Sequence, residues 1–244
     1  MKVAVIFPAA GLGTRMGRPF SPEKADTSRK QFMLLEGSPI LLHTVRKFAA
    51  SERVTDIVVA VRADDVEWVA EMLQREILGK RVRVVAGGNS RQESVQNGLD
   101  ALDADTDLVA VHDAVRPFVD LETIHKVFDE AAATGAAIVG VVPVDTVKQV
   151  TGGQDSVAKI RGTLPRDKLV LAQTPQVFRY GIVRQAFEAA RQDDFNGTDE
   201  ASLVERLEQV EVSVVLGSDR NIKITKAGDM DLARLYLAQE TATA

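Results

Sequence analysis

Short runs of Val, Ile, Leu and Ala alternate along this chain with stretches whose apolar residues recur at helical spacing, and that alternation restricts the fold more than any other feature. The runs at residues 3–7, 56–61, 82–85, 108–111, 137–142 and 212–216 are almost continuously apolar, as strands are when helices cover both faces of their sheet. Between them, residues 39–50, 66–77, 92–102 and 121–133 carry amphipathic helical patterns; in the first, Leu41, Val45 and Phe48 fall on one face. Ser38 before Pro39 predicts an N-cap with proline in the first turn, and residues 225–239 predict a closing helix capped by Thr225. The expected class is α/β, a mostly parallel sheet flanked by helices.

Residues 144–171 break the alternation. They read as strand (145–150), Gly-rich turn (151–155) and strand (156–160), an antiparallel hairpin. Such a hairpin is either a plain surface feature or, where it protrudes with apolar residues, a dimerisation device; the residues alone leave both open. No repeat, low-complexity stretch or linker composition divides the chain. At 244 residues and 45% hydrophobic, it is expected to form one domain over residues 1–244.

Composition removes several classes of function. Zero cysteines exclude disulfides, thiolate metal sites and cysteine nucleophiles. A formal net charge of -5 argues against general nucleic-acid binding and leaves room only for a local cationic cluster. Met1-Lys2 run directly into the first strand without a signal-peptide pattern, and no apolar run approaches membrane-spanning length. A soluble, cytoplasmic protein without membrane partners is expected.

Chemistry concentrates after the strands. Pro8-Ala9-Ala10-Gly11-Leu12-Gly13-Thr14-Arg15-Met16 follows the first; its small residues would let a ligand approach backbone N–H groups, and Arg15 stands where phosphate charge would lie. It is not a dinucleotide fingerprint, because Met16 replaces the third glycine, and Arg62 stands where an acidic residue should end the second strand. Nor does it have Walker spacing. Alone, the loop reads equally well as a phosphate cradle and as an ordinary Gly-rich turn. Gly87-Gly88-Asn89-Ser90-Arg91-Gln92-Glu93-Ser94 follows the third strand; its glycines would admit a flat base, or its serines serve as helix caps. His112-Asp113-Ala114-Val115-Arg116-Pro117 ends the fourth, at the edge where parallel sheets bind ligands. The carboxylates Asp103, Asp105 and Asp107 precede that strand, which puts them at its opposite end, in a solvated loop. His43 and His125 fall in helical patterns as packing or surface residues, and His112 is placed to orient the Asp113 turn.

Taken in order, P-A-A-G-x-G-x-R-M, K-Q-F (30–32), G-G-x-x-R-x-x-S-V (87–95), H-D-A-x-R-P (112–117), T-P-Q-x-F (174–178), T-D-E-A (198–201) and N-I-K-I-T (221–225) make the chain resemble the 2-C-methyl-D-erythritol 4-phosphate cytidylyltransferases over nearly its whole length. The resemblance implies a Rossmann-like nucleotidyltransferase fold with a protruding β-hairpin arm. It implies transfer of a cytidylyl group from CTP to methylerythritol phosphate, with release of pyrophosphate, in non-mevalonate isoprenoid biosynthesis. Arg15 and Lys30 match positions that stabilise the α-phosphate transition state, and Arg166 and Lys223 those that position the acceptor. Ala9, Ala10, Gly11, Gly13, Gly88 and Ser94 match the CTP side; Asp113, Arg116, Thr146, Thr174 and Thr198 match the acceptor side. Mg²⁺ is implied as a cofactor held mainly by CTP phosphates, without a dedicated protein metal site, and a homodimer joined through the arm at 144–171 would bring Thr146 and Arg166 to the partner's site. A fused cyclodiphosphate synthase domain, present in some relatives, is not expected here.

The loop between Arg15 and the Lys-Gln pair is longer than is usual in the family. Lys30 directly precedes Gln31-Phe32, whereas Lys24 follows Glu23, so the catalytic position is assigned to Lys30. A ribitol 5-phosphate cytidylyltransferase shares most of these motifs and is the nearest alternative; a nicotinamide-dependent oxidoreductase is the alternative of another class.

Overall fold

Val3–Pro8 (β1) enters a sheet that nearly every later element serves to cover. The computed structural model describes residues 1–11, 29–151 and 158–243. A 3₁₀ turn at Lys30–Phe32 leads to a small ladder of Leu34–Leu35 (β2) and Ser38–Pro39 (β3). There follow Ile40–Ala49 (α1), Val54–Val61 (β4), Val66–Gln74 (α2), Arg81–Ala86 (β5), Arg91–Asp100 (α3), Leu108–Val111 (β6), Leu121–Thr134 (α4) and Ala136–Val141 (β7). The antiparallel pair Lys148–Thr151 (β8) and Lys159–Thr163 (β9) stands apart as its own sheet. Leu171–Arg179 (β10), Tyr180–Gln192 (α5), Glu200–Glu205 (α6), Ser213–Leu216 (β11) and Ala227–Thr243 (α7) complete the order.

The main sheet runs β11-β7-β10-β6-β1-β4-β5. β1 pairs in parallel with β4 and β6, β4 with β5, and β7 with β11; β10 is antiparallel to both its neighbours. The alternation of β1 divides the core in two. Val3, Val5 and Phe7 pack with Leu41, Val45 and Phe48 of α1 and Val127 and Phe128 of α4, while Ala4 and Ile6 meet Val95 and Leu99 of α3 and Phe187 of α5. The three residues placed on one face of α1 by their spacing are all buried.

α3 lies close over β1 because it carries Gly98. A Cβ there would stand 2.6 Å from Ile6 Cγ2, inside contact distance with a branched, fully buried side chain. Gly98→Ala is expected to lower stability by about 1–3 kcal/mol through overpacking, read as a reduced thermal midpoint with activity retained at low temperature.

Several local expectations are corrected. Ser38 does not cap α1: it pairs with Leu35 in the β2–β3 ladder, and Pro39, at φ -56 and ψ 143, is the residue preceding the helix. Thr225 is not the cap of α7; its N–H and hydroxyl, with the Lys226 N–H, all donate to the Asp229 carboxylate, so the cap is supplied from inside the first turn. The hairpin exists with both strands displaced toward the C-terminus, β8 at 148–151 and β9 at 159–163, and its turn lies outside the described residues. β10, α5 and α6 were not foreseen. β10 buries Gln173, Thr174 and Gln176 and has Pro175 in mid-strand, a composition that reads as a loop.

The acidic triplets stand where the sequence placed them. Asp103 pairs with Arg81 and Arg83, Asp105 with Lys2, and Asp107 with the Lys2 N–H, all at the amino ends of the strands.

Candidate active site

Chain order reverses around β1: β4 and β5 continue to one side, β6 to the other. A crevice must open at the carboxyl ends of β1 and β6, where the segments leaving these strands diverge. The structure has a cavity of about 200 Å³ there, walled by Pro8–Gly11 after β1, by Gly88–Arg91 and Ser94 at the start of α3, and by Asp113–Val115 after β6, with Lys30 and Lys223 contributed by other segments.

Each wall is fixed by contacts traceable to a motif. In K-Q-F, Phe32 is buried edge-on against Trp68. Gln31, also buried, donates from Nε2 to the Ala9 carbonyl at 2.7 Å and the Gly11 carbonyl at 3.3 Å, so the turn that carries Lys30 to the cavity also holds the first loop open. Arg29 completes the anchor through its ion pair with Asp65 and its guanidinium over Phe32. A Cβ on Gly11 would meet nothing within 4 Å.

In the second loop the capping reading of the serines holds. Ser90 is the N-cap of α3, accepting from the Glu93 N–H at 3.0 Å. Ser94 Oγ accepts from the Gly88 N–H at 3.1 Å and donates to the Ser90 carbonyl at 2.8 Å. A Cβ on Gly88 would lie 2.2 Å from Glu93 Cβ, and one on Gly87 2.7 Å from Ala10 Cβ. These glycines are required by packing against the protein itself, whatever ligand approaches them.

Asp113 is the electrostatic centre. Buried to 5% exposure, it receives Arg91 Nη1 on Oδ1 at 2.6 Å, and Arg116 Nε at 3.0 Å and Lys223 Nζ at 2.9 Å on Oδ2. Burial alone would raise its carboxyl, but Arg91, Lys223 and Arg116 together outweigh that and hold it well below the usual carboxylate range. Lys223 is set from both sides: Ile224 is fully buried and its N–H donates to Val115 O at 3.0 Å, while buried Asn221 donates to Gln173 Oε1 and Thr174 O, each at 2.9 Å. Arg116 Nη1 reaches the Asn221 carbonyl at 2.7 Å, and the Thr174 hydroxyl accepts from the Asp113 N–H at 3.0 Å.

His112 orients this turn without proton chemistry. Fully buried between Phe7 and Phe48, its Nε2 meets the Arg116 carbonyl at 3.0 Å. Burial is the main cause of its pKa falling to about 3, so the ring is neutral and Nε2–H is the donor. An unfolded histidine titrates near 6.5. Between these values the unfolded chain binds more protons, so stability falls as pH drops through that window, by up to about 1.4 kcal/mol per pH unit. Urea unfolding of His112→Gln is expected to show a flatter dependence than the parent between pH 6.5 and 4; equal slopes would assign the acid sensitivity elsewhere.

The cavity thus gathers most of the residues matched to the nucleotide side: Ala9, Ala10, Gly11, Gly88 and Ser94, together with Lys30, Lys223 and Asp113. Arg116 and Thr174 support Asp113 from beside it. Thr146, Arg166 and Thr198 are not among the lining residues; all three are exposed, and Arg166 donates to the Val144 carbonyl next to the hairpin. Gly13, Arg15 and Lys24 lie outside the described residues. No role for Arg91, Glu200 or Gln31 is legible in the sequence pattern. Arg91 bridges Asp113 to Glu200, with Nη2 to Glu200 Oε2 at 2.8 Å across 109 positions of sequence, a partnership that no local pattern announces. Among the described residues no group of three or more His, Cys, Asp or Glu could hold a metal ion, and no helix there is long and apolar enough to cross a membrane.

An α/β sheet with a cavity lined by small residues and two lysines at its switch point is the arrangement by which this class of fold takes phosphorylated nucleotides or metabolites at the carboxyl ends of its strands. Residues 3–239 match the protein-family model for 2-C-methyl-D-erythritol 4-phosphate cytidylyltransferase. The chain is 70% identical to the protein of that name from Solibacter usitatus, over 99% of this chain and 98% of the relative. It superposes on the crystal structure of 4-diphosphocytidyl-2C-methyl-D-erythritol synthase from Anaerococcus prevotii with a TM-score of 0.81 at 28% identity, covering 97% of this chain and 96% of that one. With the Francisella tularensis 2-C-methyl-D-erythritol 4-phosphate cytidylyltransferase structure the TM-score is 0.78 at 32% identity, covering 96% and 99%. The chain belongs to the 2-C-methyl-D-erythritol 4-phosphate cytidylyltransferase family.

Proposed function

We propose that this chain transfers the cytidylyl group of CTP to 2-C-methyl-D-erythritol 4-phosphate, for isoprenoid precursor synthesis in the cytoplasm. The observation that carries the reading is the convergence of Lys30 and Lys223 on one cavity walled by the two small-residue loops that follow β1 and β5. A phosphate oxygen of the acceptor attacks the α-phosphorus of CTP; the bond from that phosphorus to the bridging oxygen breaks, and pyrophosphate leaves. The nucleophile is ionised near neutral pH, so no side chain has to remove a proton. Catalysis then rests on preorganised cations that meet charge as it develops. Lys30 and Arg15 serve the α-phosphate, and Lys223 and Arg166 hold the acceptor phosphate. Ala9, Ala10, Gly11, Gly13, Gly88 and Ser94 receive the cytidine nucleotide; Asp113, Arg116, Thr146, Thr174 and Thr198 receive the polyol.

The donor chemistry fits Mg²⁺ arriving on the nucleotide. Asp113, the carboxylate among the described lining residues, is engaged by Arg91, Arg116 and Lys223, so Mg²⁺ would be held by triphosphate oxygens and water. When bound it disperses phosphate charge.

The hairpin supports a homodimer. Val144 is 78% exposed and Ile160 66%, with exposed Leu171 and Leu216 on strands of the main sheet; apolar surface of this kind marks an interface. Arg166 and Thr146, remote from their own cavity, would complete the partner's. Detection of CDP-methylerythritol by mass spectrometry from CTP, Mg²⁺ and methylerythritol phosphate tests the activity. Mixing inactive Lys30→Ala and Arg166→Ala chains tests the shared site: exchange into heterodimers restores one intact site of two, giving about a quarter of parental activity. Absence of recovery despite exchange would place Arg166 in its own subunit's site.

A further inference from the structure

Glu200, 2% exposed, is the first residue of α6, and its carboxylate accepts from Arg91 Nη2. Burying a carboxylate costs several kcal/mol of hydration, which an ion pair seldom more than repays, so packing alone gives no reason for an acid here. Its backbone is held without it. Asp199 caps α6 together with Ser202, Gln176 joins the Asp199 carboxylate to the Ala201 N–H, and Gln92 bonds the Phe195 carbonyl and Gly197 N–H.

What the Glu200 side chain does settle is how Arg91 is shared. One amino group of the guanidinium goes to Glu200 and the other to Asp113 Oδ1, which leaves Asp113 Oδ2 to Arg116 and Lys223. Without the charge on Glu200, both amino groups would turn to Asp113, because a planar fork prefers a bidentate carboxylate, and would compete with the Lys223 ammonium for Oδ2.

We infer that Glu200, acting through Arg91, is a positioning residue for the acceptor: it restrains Arg91 to one oxygen of Asp113 so that the other sets Lys223 toward the acceptor phosphate. The inference rests on the proposed cytidylyl transfer and extends that site to a second layer of charge.

Steady-state kinetics with each substrate varied in turn test it on the parent, Glu200→Gln, Glu200→Asp, Arg91→Lys and the Glu200→Gln/Arg91→Lys double variant. Glu200→Gln keeps the shape of the side chain and is expected to raise KM for methylerythritol phosphate about tenfold while KM for CTP stays within about twofold. Glu200→Asp recovers part of the loss. The double variant is no worse than Arg91→Lys alone, because both changes break one relay. An unchanged acceptor KM, a parallel rise in both KM values, or additive effects would overturn the inference. If Glu200→Gln fails to fold, Glu200→Asp, which keeps the charge and shortens its reach to Arg91, carries the same split at smaller size. An active parent with unaffected variants refutes the positioning role alone; a parent that makes no CDP product refutes the reading beneath it.

Discussion

Lys30→Ala is expected to lower kcat by roughly 10²–10³, the loss typical of removing one preorganised donor from a developing anion. The 3₁₀ turn carrying Lys30 is anchored by the buried Gln31 and Phe32, so an anchored segment brings Lys30 to the cavity. Substrate KM values should move far less than kcat, since the interaction matters most where the α-phosphate gains charge. The paired variant is Lys24→Ala, expected to be nearly silent. A hundredfold loss in Lys24→Ala with Lys30→Ala close to parental would transfer the role to the longer loop.

Asp113→Asn is expected to be the most damaging substitution for stability. Its carboxylate neutralises Arg91, Arg116 and Lys223 together, and Arg116 is itself largely buried, at 11% side-chain exposure. Removing the shared anion leaves Arg116 and Lys223 facing one another without a counter-charge while Arg91 keeps Glu200, a situation that costs about 3–5 kcal/mol in buried pairs. The urea midpoint should fall accordingly, and acceptor KM should rise in whatever fraction remains folded. Because Asp113 is held deprotonated far below its ordinary range, its stabilising contribution is present at all pH values above that range and is lost as pH falls into strong acid; Asp113→Asn should therefore reduce stability equally at pH 6 and pH 8. A change of less than 1 kcal/mol would show that solvent, not Asp113, balances the cluster.

The sequence made the parallel strands legible because β1, β4, β6 and β7 are buried on both faces and read as apolar runs, while the edge strands β5 and β11, only partly buried, still carry a majority of apolar residues. It made the carboxyl-end loops legible because close approach needs small residues there. β10 was hidden by its purpose: Gln173, Thr174 and Gln176 turn inward to bond Asn221, Asp113 and α6, so a buried strand carries polar letters. The Glu200–Arg91–Asp113 relay was hidden for another reason, since its members come from three segments that meet only through the sheet topology. Family resemblance placed Thr146 and Arg166 at a partner's site, and their exposure outside the cavity lining of their own chain gives the proposed dimer its physical motive.

The most direct test is pyrophosphate release by the purified protein with CTP and Mg²⁺, comparing 2-C-methyl-D-erythritol 4-phosphate with ribitol 5-phosphate as acceptor. Release that depends on the first and is weak with the second is the predicted result. Preference for ribitol 5-phosphate would keep the nucleotide site but contradict the acceptor assignment, and release with neither would contradict cytidylyl transfer itself.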